Sequence, residues 1–417
     1  GLPKSNMKWY ILITFLLVVV VVTTDKTEGK DTRRQRFVTS FETSKKTCLP
    51  KGGCKKKGGS CIAKENAIAC QGKVLTRGCK GSDCVCCIPN KVRFQLDTSV
   101  IWPESVDESI WNNIELIERG APNSRDYHIY FRHNGVPISG WHDIPLFAVT
   151  TNMTFNMVVE IPRWTNDKME IMRDVPLNPI MQDTKDGKLR YVSQVFPYTG
   201  YPCNYGALPQ TWEDPAHIDS STGVGGDNDP IDVCEIGSLV ATKGQILQVK
   251  VLGVLGLVDG SETDWKLFTI NIADPMAAHL NDIADVERYM PGLLAGAQNW
   301  FRIYKVPTGS PENKFAFGGR YKDREFAHQV IMNTYDSWQK LITGSSDRGS
   351  ISISLVTLGQ AAVKLTTSEA QALVASSPEP APALPRDPQV DVWHFVPENK
   401  KRGFSTSGVR PALLYGH

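Results

Sequence analysis

The chain has 417 residues, 41% hydrophobic and 22% charged, enough for one sizeable core with smaller modules attached. A net charge of +2 excludes a strongly basic or acidic molecule as a whole, yet it hides an asymmetry: Lys45 to Lys91 carries eleven Lys/Arg against Glu65 and Asp83, or +9, and everything else sums to −7. Eight of the ten cysteines lie between Cys48 and Cys87, leaving only Cys203 and Cys234 beyond, so one uniform chemistry is excluded and two unlike parts are joined.

Residues 1–25 read as a secretory signal, with Lys4 and Lys8 ahead of an apolar run from Ile11 to Val22 broken only by Thr14. That run is too short to span a bilayer comfortably, and it lacks an A-x-A cleavage site, so a short uncleaved anchor is the alternative. Met7-Lys-Trp is a natural start, with Gly1 to Asn6 reading as translated upstream sequence. Residues 26–46 are polar and basic, a linker or a propeptide with a dibasic site at Arg33-Arg34. Across residues 47–90 the eight cysteines Cys48, Cys54, Cys61, Cys70, Cys79, Cys84, Cys86 and Cys87 form a disulfide framework behind a secretory signal, with connectivity open. Zinc is the weaker reading, because paired C-x2-C knuckles and histidines are missing there. The basic surface of residues 45–91, with Lys55-Lys-Lys57, suits anionic membranes or other polyanions, without specific nucleic-acid recognition. In size, charge and cysteine density the module resembles the cationic defensin-like peptides of animals, which implies an antimicrobial role. A structural cystine module with incidental charge is the competing reading.

Residues 91–120 form a connector containing a helix-like patch, Val106 to Glu118. The larger globular region, residues 121–345, opens with alternation at Tyr127 to Phe131 and a hairpin turn at Asn134-Gly135. Asn156 to Ile161 is a buried-type strand closed by Pro162; Gln245 to Val258 and Trp265 to Ile272 are two further strands around an acid-rich loop. Helical spacing follows over Asp282–Tyr289 and Leu293–Tyr304. A third helix is capped by Asp323, striped by Phe326, Val330, Tyr335, Trp338 and Leu341, and stopped at Gly344. Strands first and helices after give an α+β class around a barrel. In the extension, residues 346–417, Thr366-x-x-Glu369 starts a short helix. Prolines from Pro378 to Pro388 then make an extended, poorly packed linker. Trp393-His-Phe395 is expected to dock back, and Lys400 to His417 reads as disordered.

The densest chemistry is Gly225-Gly-Asp-Asn-Asp-Pro-Ile-Asp-Val233. Asp227 and Asp229, two apart, share a face of an extended backbone, and a turn at Pro230 brings Asp232 toward them. Packed carboxylates repel unless protons or cations intervene, and hard oxygens are what Mg²⁺ prefers. A solvated acidic turn is the plainer alternative. Other polar sets accompany it: Glu160 and Arg163, Lys168 and Glu170, Lys188-Leu-Arg190, Tyr201 and Tyr205, Asp259 to Lys266, and Tyr304-Lys305. Carboxylates for metals thus accompany cations and phenols for anionic oxygens. No Ser-His-Asp order, catalytic Cys-His pairing or P-loop pattern is present.

Asp227-Asn-Asp-Pro-Ile-Asp-Val233, Phe155-Asn-Met-Val-Val-Glu-Ile-Pro-Arg-Trp164, Lys188-Leu-Arg-Tyr191, Asn204-Tyr-Gly206 with Pro209-Gln-Thr-Trp-Glu213, Glu262-Thr-Asp-Trp-Lys266 and Phe301-Arg-Ile-Tyr-Lys305 together closely resemble the soluble family I inorganic pyrophosphatases of animals and fungi. The resemblance implies an OB-like five-stranded β-barrel with flanking helices, hydrolysis of inorganic pyrophosphate, several Mg²⁺ ions per site, a homodimer and a cytoplasmic setting. It further implies Asp227, Asp232 and Asp264 as ligands of the tightest ion, with Asp232 bridging to a second. Asp259 and Asp264 would hold an ion arriving with substrate, Glu170 a further one, and Glu160 an outer shell. Asp229 would orient and deprotonate the attacking water. Arg190, Tyr304 and Lys305 would hold the outgoing phosphate, and Lys168, Tyr205 and Lys266 the remaining oxygens.

Packing explains Tyr201 and Trp212, a structural ion pair is an equal reading for Glu262 and Arg163, and Cys203 and Cys234 read as buried thiols. Six histidines, His142 among them, show no metal spacing. Departures from the family pattern fall at Gly260-Ser261, Asp167 and Pro202-Cys203, and none removes a catalytic side chain. A reducing cytoplasm and an eight-cysteine module conflict. The whole chain is then a pyrophosphatase with a mis-joined N-terminal piece, a true secreted fusion, or a peptide on an inert scaffold.

Overall fold

A computed structural model describes residues 113–397, apart from 152 and 360, together with short pieces between 49 and 89. The signal or anchor reading of residues 1–25, the polar stretch 26–46 and the tail beyond 397 lie outside the described residues. Two compact units divide at residue 96.

In the first unit, Ser60–Ala63 and Gly72–Leu75 pair antiparallel with Cys84–Pro89. Disulfides join Cys54 to Cys86 and Cys61 to Cys79, resolving part of the connectivity that spacing leaves open. Cys54, Val85 and Cys86 are buried.

The second unit begins with β1 (Ile114–Arg119), which pairs antiparallel with β2 (His128–His133). This corrects the helix expected up to Glu118. Ile114 and Ile117 are half-buried and three residues apart, which mimics a helical face, but pairing with β2 decides the conformation. Asn134 and Gly135, with φ of 49° and 81°, make the tight turn into β3 (Val136–Ile138), as the Asn-Gly pair predicts. β4 (Thr154–Ile161) is buried along its whole length, β5 (Met169–Ile171) and β6 (Ile180–Gln182) extend the sheet of β2, and β7 (Asn204–Ala207) pairs with β4. The short β8 (Gly225–Gly226) leads into the acidic turn and β9 (Asp232–Glu235). β10 (Ile246–Asp259) and β11 (Glu262–Asn271) form the long hairpin.

Pairing runs from β11 to β9, β7, β4 and β10, and returns to β11. Among the described residues, α1 (Ile283–Tyr289), α2 (Leu293–Ile303) and α3 (Arg324–Ile342) pack around these strands, while α4 (Thr367–Ser376) packs against the sheet of β2 and β3, in a small cluster with Tyr130 and Leu177. The class is α+β. Asp323 caps α3 by accepting from the Phe326 N–H at 2.9 Å, and Val330, Tyr335, Trp338 and Leu341 of the expected stripe are buried. Thr366 and Glu369 form the expected capping box of α4.

The proline-rich stretch is exposed from Pro378 to Pro388, as a poorly packed segment is expected to be, yet it is docked at several points. Gly120 donates to the Pro378 carbonyl at 3.0 Å, Leu384 to Pro122 at 2.9 Å, and Arg119 pairs with Glu379 at 2.9 Å. Proline fixes an extended backbone, whose free carbonyls and few N–H groups dock along β1 and the turn after it. Trp393–His394 pairs with Gln194–Val195. Cys203 and Cys234, expected as thiols, are buried as expected but bonded to each other, their Cα atoms 5.4 Å apart. Among the described residues no helix is long and apolar enough to cross a membrane.

Candidate active site

Strand register builds the site. Parallel pairing of β9 with β11 sets Asp232 opposite Lys266, and the two-residue repeat of β11 puts Asp264 on the same face as Lys266. Lys266 Nζ pairs with both carboxylates and donates to the Tyr205 hydroxyl on β7 at 2.9 Å. The same ammonium lies over the Tyr205 and Phe301 rings, 5.4 and 5.7 Å from their centroids. At the hairpin tip Asp259 meets Lys305, which follows the C-terminus of α2, while Tyr304 stacks on Trp300 at 4.8 Å. Gly260 at this tip has φ of 65°, so the turn itself calls for glycine there.

The acidic turn differs from the extended backbone expected. Asn228 has φ of 74°, and the Asp227 side chain accepts from the Asp229 N–H at 3.1 Å, so the carboxylates converge through a turn. Three contacts brace it. Trp212 Nε1 donates to Asn228 Oδ1 at 3.0 Å, Asn228 N–H to the Glu213 carbonyl at 2.9 Å, and Glu213 N–H to the Asp229 carbonyl at 2.9 Å. Trp212 is anchored in turn by donating its own N–H to the Thr334 carbonyl of α3. Trp338 of α3 donates to His142, whose burial pushes its pKa down to about 3 and keeps the ring neutral. His142 is part of the scaffold.

The thirteen residues singled out from the sequence, Glu160, Lys168, Glu170, Arg190, Tyr205, Asp227, Asp229, Asp232, Asp259, Asp264, Lys266, Tyr304 and Lys305, all line one cleft of about 280 Å³. Within it Lys168 pairs with Glu170, and Arg190 with Asp183 at 2.7 Å. Glu160 is fixed by the Ile171 N–H at 2.7 Å. Arg163 points away, to the Gly237 carbonyl and to Glu235 at 4.0 Å, in keeping with a structural role. Tyr201 is buried against Tyr205 and Trp300, both at 4.7 Å, so it packs and lines the cleft at once.

Burial raises most carboxylates here. Asp264 is pushed up to about 7 although Lys266 opposes the rise, and Glu160 up to about 8 although Lys168 opposes it. Burial and the neighbouring Asp264 and Asp229 lift Asp227 well above the ordinary range. Asp232 differs: burial acts against its charge, but Lys266 and Lys168 outweigh it and hold the carboxyl low. Burial brings Asp229 up to about 6, against the pull of Arg173, whose guanidinium donates to Asp229 Oδ1 at 2.7 Å. Crowded, desolvated carboxylates of this kind fit a hard divalent cation that replaces their protons. One oxygen each from Glu213, Asp227 and Asp264 lies within 4.8 Å of the others.

A family model described as inorganic pyrophosphatase matches residues 157–339. An inorganic pyrophosphatase of Drosophila melanogaster is 50% identical over 283 residues, spanning 68% of this chain and 84% of that protein. The chain belongs to the inorganic pyrophosphatase family. A pyrophosphatase of Emericella nidulans is 51% identical over 279 residues, 66% of this chain and 96% of that one. Among solved structures, the inorganic pyrophosphatase from Schistosoma japonicum superposes with a TM-score of 0.65 at 49% identity, covering 68% of this chain and 100% of that one. The type I inorganic pyrophosphatase from Toxoplasma gondii gives 0.52 at 40% identity, covering 55% and 99%.

Two residues of the pyrophosphatase site escape sequence reasoning. Arg173 lies two residues beyond β5, in no motif. Glu213 lies within a quoted motif, but its link to the metal-type trio depends on backbone bonds to the Asn228 turn that spacing cannot reveal.

Proposed function

We propose that the chain hydrolyses inorganic pyrophosphate to two phosphates in a Mg²⁺-dependent reaction. The observation that carries this is the single cleft in which six metal-type carboxylates face seven groups suited to a base and to anionic oxygens. Asp227, Asp232 and Asp264 would hold the tightest ion, and Asp232 would also serve a second. Asp259 with Asp264, and Glu170, would take ions arriving with substrate, and Glu160 would support them from an outer shell. When bound, Mg²⁺ acidifies the attacking water and neutralises the phosphates.

Asp229 takes the proton as water attacks phosphorus. A carboxylate brought to about 6 is deprotonated at neutral pH and basic enough to accept it. As the bridging P–O bond breaks, charge shifts to the outgoing phosphate, where Arg190, Tyr304 and Lys305 receive it. Lys168, Tyr205 and Lys266 hold the other phosphate's oxygens. Cations placed beforehand need no reorganisation at that moment, and lie where screening is weak.

We read the closed strand circuit as the OB-like five-stranded barrel, residues 121–345 as the enzyme domain and residues 346–417 as its extension. A homodimer and a cytoplasmic setting for the enzyme domain follow from the family. Ahead of it stand a signal or anchor at 1–25, a linker or propeptide at 26–46, the disulfide module at 47–90 and a connector at 91–120. The +9 charge of Lys45 to Lys91 suits polyanion contact. Asp229→Asn tests the reading. Its kcat is expected to fall by about 10²-fold or more, in line with loss of a general base. A kcat unchanged in the variant contradicts the assignment.

A further inference from the structure

Glu213 is a buried carboxylate, 4% exposed, with only one of its oxygens satisfied. Oε1 accepts from the Trp265 N–H at 3.1 Å, while Oε2 is buried and has no hydrogen-bond partner. An acceptor left this way is costly unless something else meets it. One oxygen of Glu213 joins a trio with Asp227 and Asp264, all within 4.8 Å of one another. Lys266 pairs with Asp232, the third ligand that the sequence suggests, and equally with Asp264. Glu213 does not line the main cleft. It stands behind Asp227 and Asp264, on a smaller pocket shared with Trp212, Asp214 and His217.

The backbone holds Glu213 firmly in that place. Its N–H and carbonyl both bond to the Asn228 turn, and a side chain at Gly226 would put a carbon 2.2 Å from the Glu213 carbonyl oxygen. The glycine before Asp227 therefore lets the Glu213 segment close on the turn.

We propose that Glu213 is a further ligand of the tightest divalent ion, closing its site from behind with Oε2 beside Asp227 and Asp264. The proposal rests on the Mg²⁺-dependent reading above and adds a carboxylate to it. A merely structural Glu213 would act through Oε1 and Trp265, and glutamine keeps that acceptor.

The test is a calorimetric titration of Mg²⁺ alone into the full-length protein, wild type against Glu213→Gln, without pyrophosphate. Affinity at the tight site is expected to fall about 10-fold or more, the Mg²⁺ concentration for half-maximal activity to rise by a similar factor, and the melting temperature in EDTA to hold. Wild-type Mg²⁺ affinity in the variant overturns the proposal. Should Glu213→Gln fail to fold, Glu213→Asp, which draws the oxygen back by one methylene, is expected to weaken binding, and unchanged affinity there overturns it equally. A wild type that binds Mg²⁺ tightly yet releases no phosphate overturns the pyrophosphatase reading, while the titration still decides Glu213. A wild type that binds no Mg²⁺ overturns both.

Discussion

Asp229 owes its proton affinity to two opposed effects, burial that raises it and Arg173 that lowers it. Replacing Arg173 with methionine removes the opposing charge, so the acid limb of the pH–rate profile should move to higher pH, by about one pH unit or more. An unmoved limb would show that Arg173 does not act on Asp229 during turnover. The raised carboxylates also fix how stability varies with pH. Asp229, Asp264 and Glu160 bind protons more tightly folded than unfolded, so the metal-free protein loses stability as pH rises from about 4 to about 8. Mg²⁺ replaces those protons, and its stabilising effect should be larger at pH 8 than at pH 6. Melting scans in EDTA and in Mg²⁺ at the two pH values check both statements; a Mg²⁺ effect larger at pH 6 contradicts them. Most cleft residues are legible because they sit in short motifs that pair their chemistry with a turn or strand end, whereas Lys168 and Glu170 stand in none and show only as a charged pair. Arg173 is not legible, since a lone arginine past a short strand resembles any solvated cation.

At the scale of elements, the Cys203–Cys234 bond ties the segment entering β7 to β9, the strands that carry Tyr205 and Asp232. Closing that loop is worth about 3–4 kcal/mol by the chain-entropy relation. Cys203→Ala with Cys234→Ala should lower urea-unfolding stability by that order, and an unchanged midpoint would argue that the bond does not form in solution. Removing the α3 cap with Asp323→Ala should cost about 1 kcal/mol in the same assay. The long strands, the Asn134-Gly135 hairpin, the three helices after Asp282 and the Thr366 cap follow from period and capping residues. Ile114–Arg119 was misread because its apolar spacing fits a helix until β2 lies beside it. The disulfide was missed because two cysteines thirty-one residues apart meet only once β7 and β9 pair.

On the scale of the whole molecule, the basic, cysteine-rich first unit and the pyrophosphatase unit differ in charge and in cysteine density. The first carries two cystines among its described residues, Cys54–Cys86 and Cys61–Cys79. With Cys203–Cys234 in the second unit, both favour an oxidising setting, whereas the family reading favours a reducing, magnesium-rich one. A peptide spanning Lys91 to Trp102, detected in native protein by mass spectrometry, would establish that the two units are made as one chain; separate products only would show that they are not. The central claim is independent of that outcome. Its most direct measurement is phosphate release from pyrophosphate by the purified full-length chain, with Mg²⁺ and with EDTA. The account predicts two phosphates per pyrophosphate consumed, with Mg²⁺ required. Pyrophosphate left intact by folded protein in Mg²⁺, all cleft carboxylates in place, would contradict it.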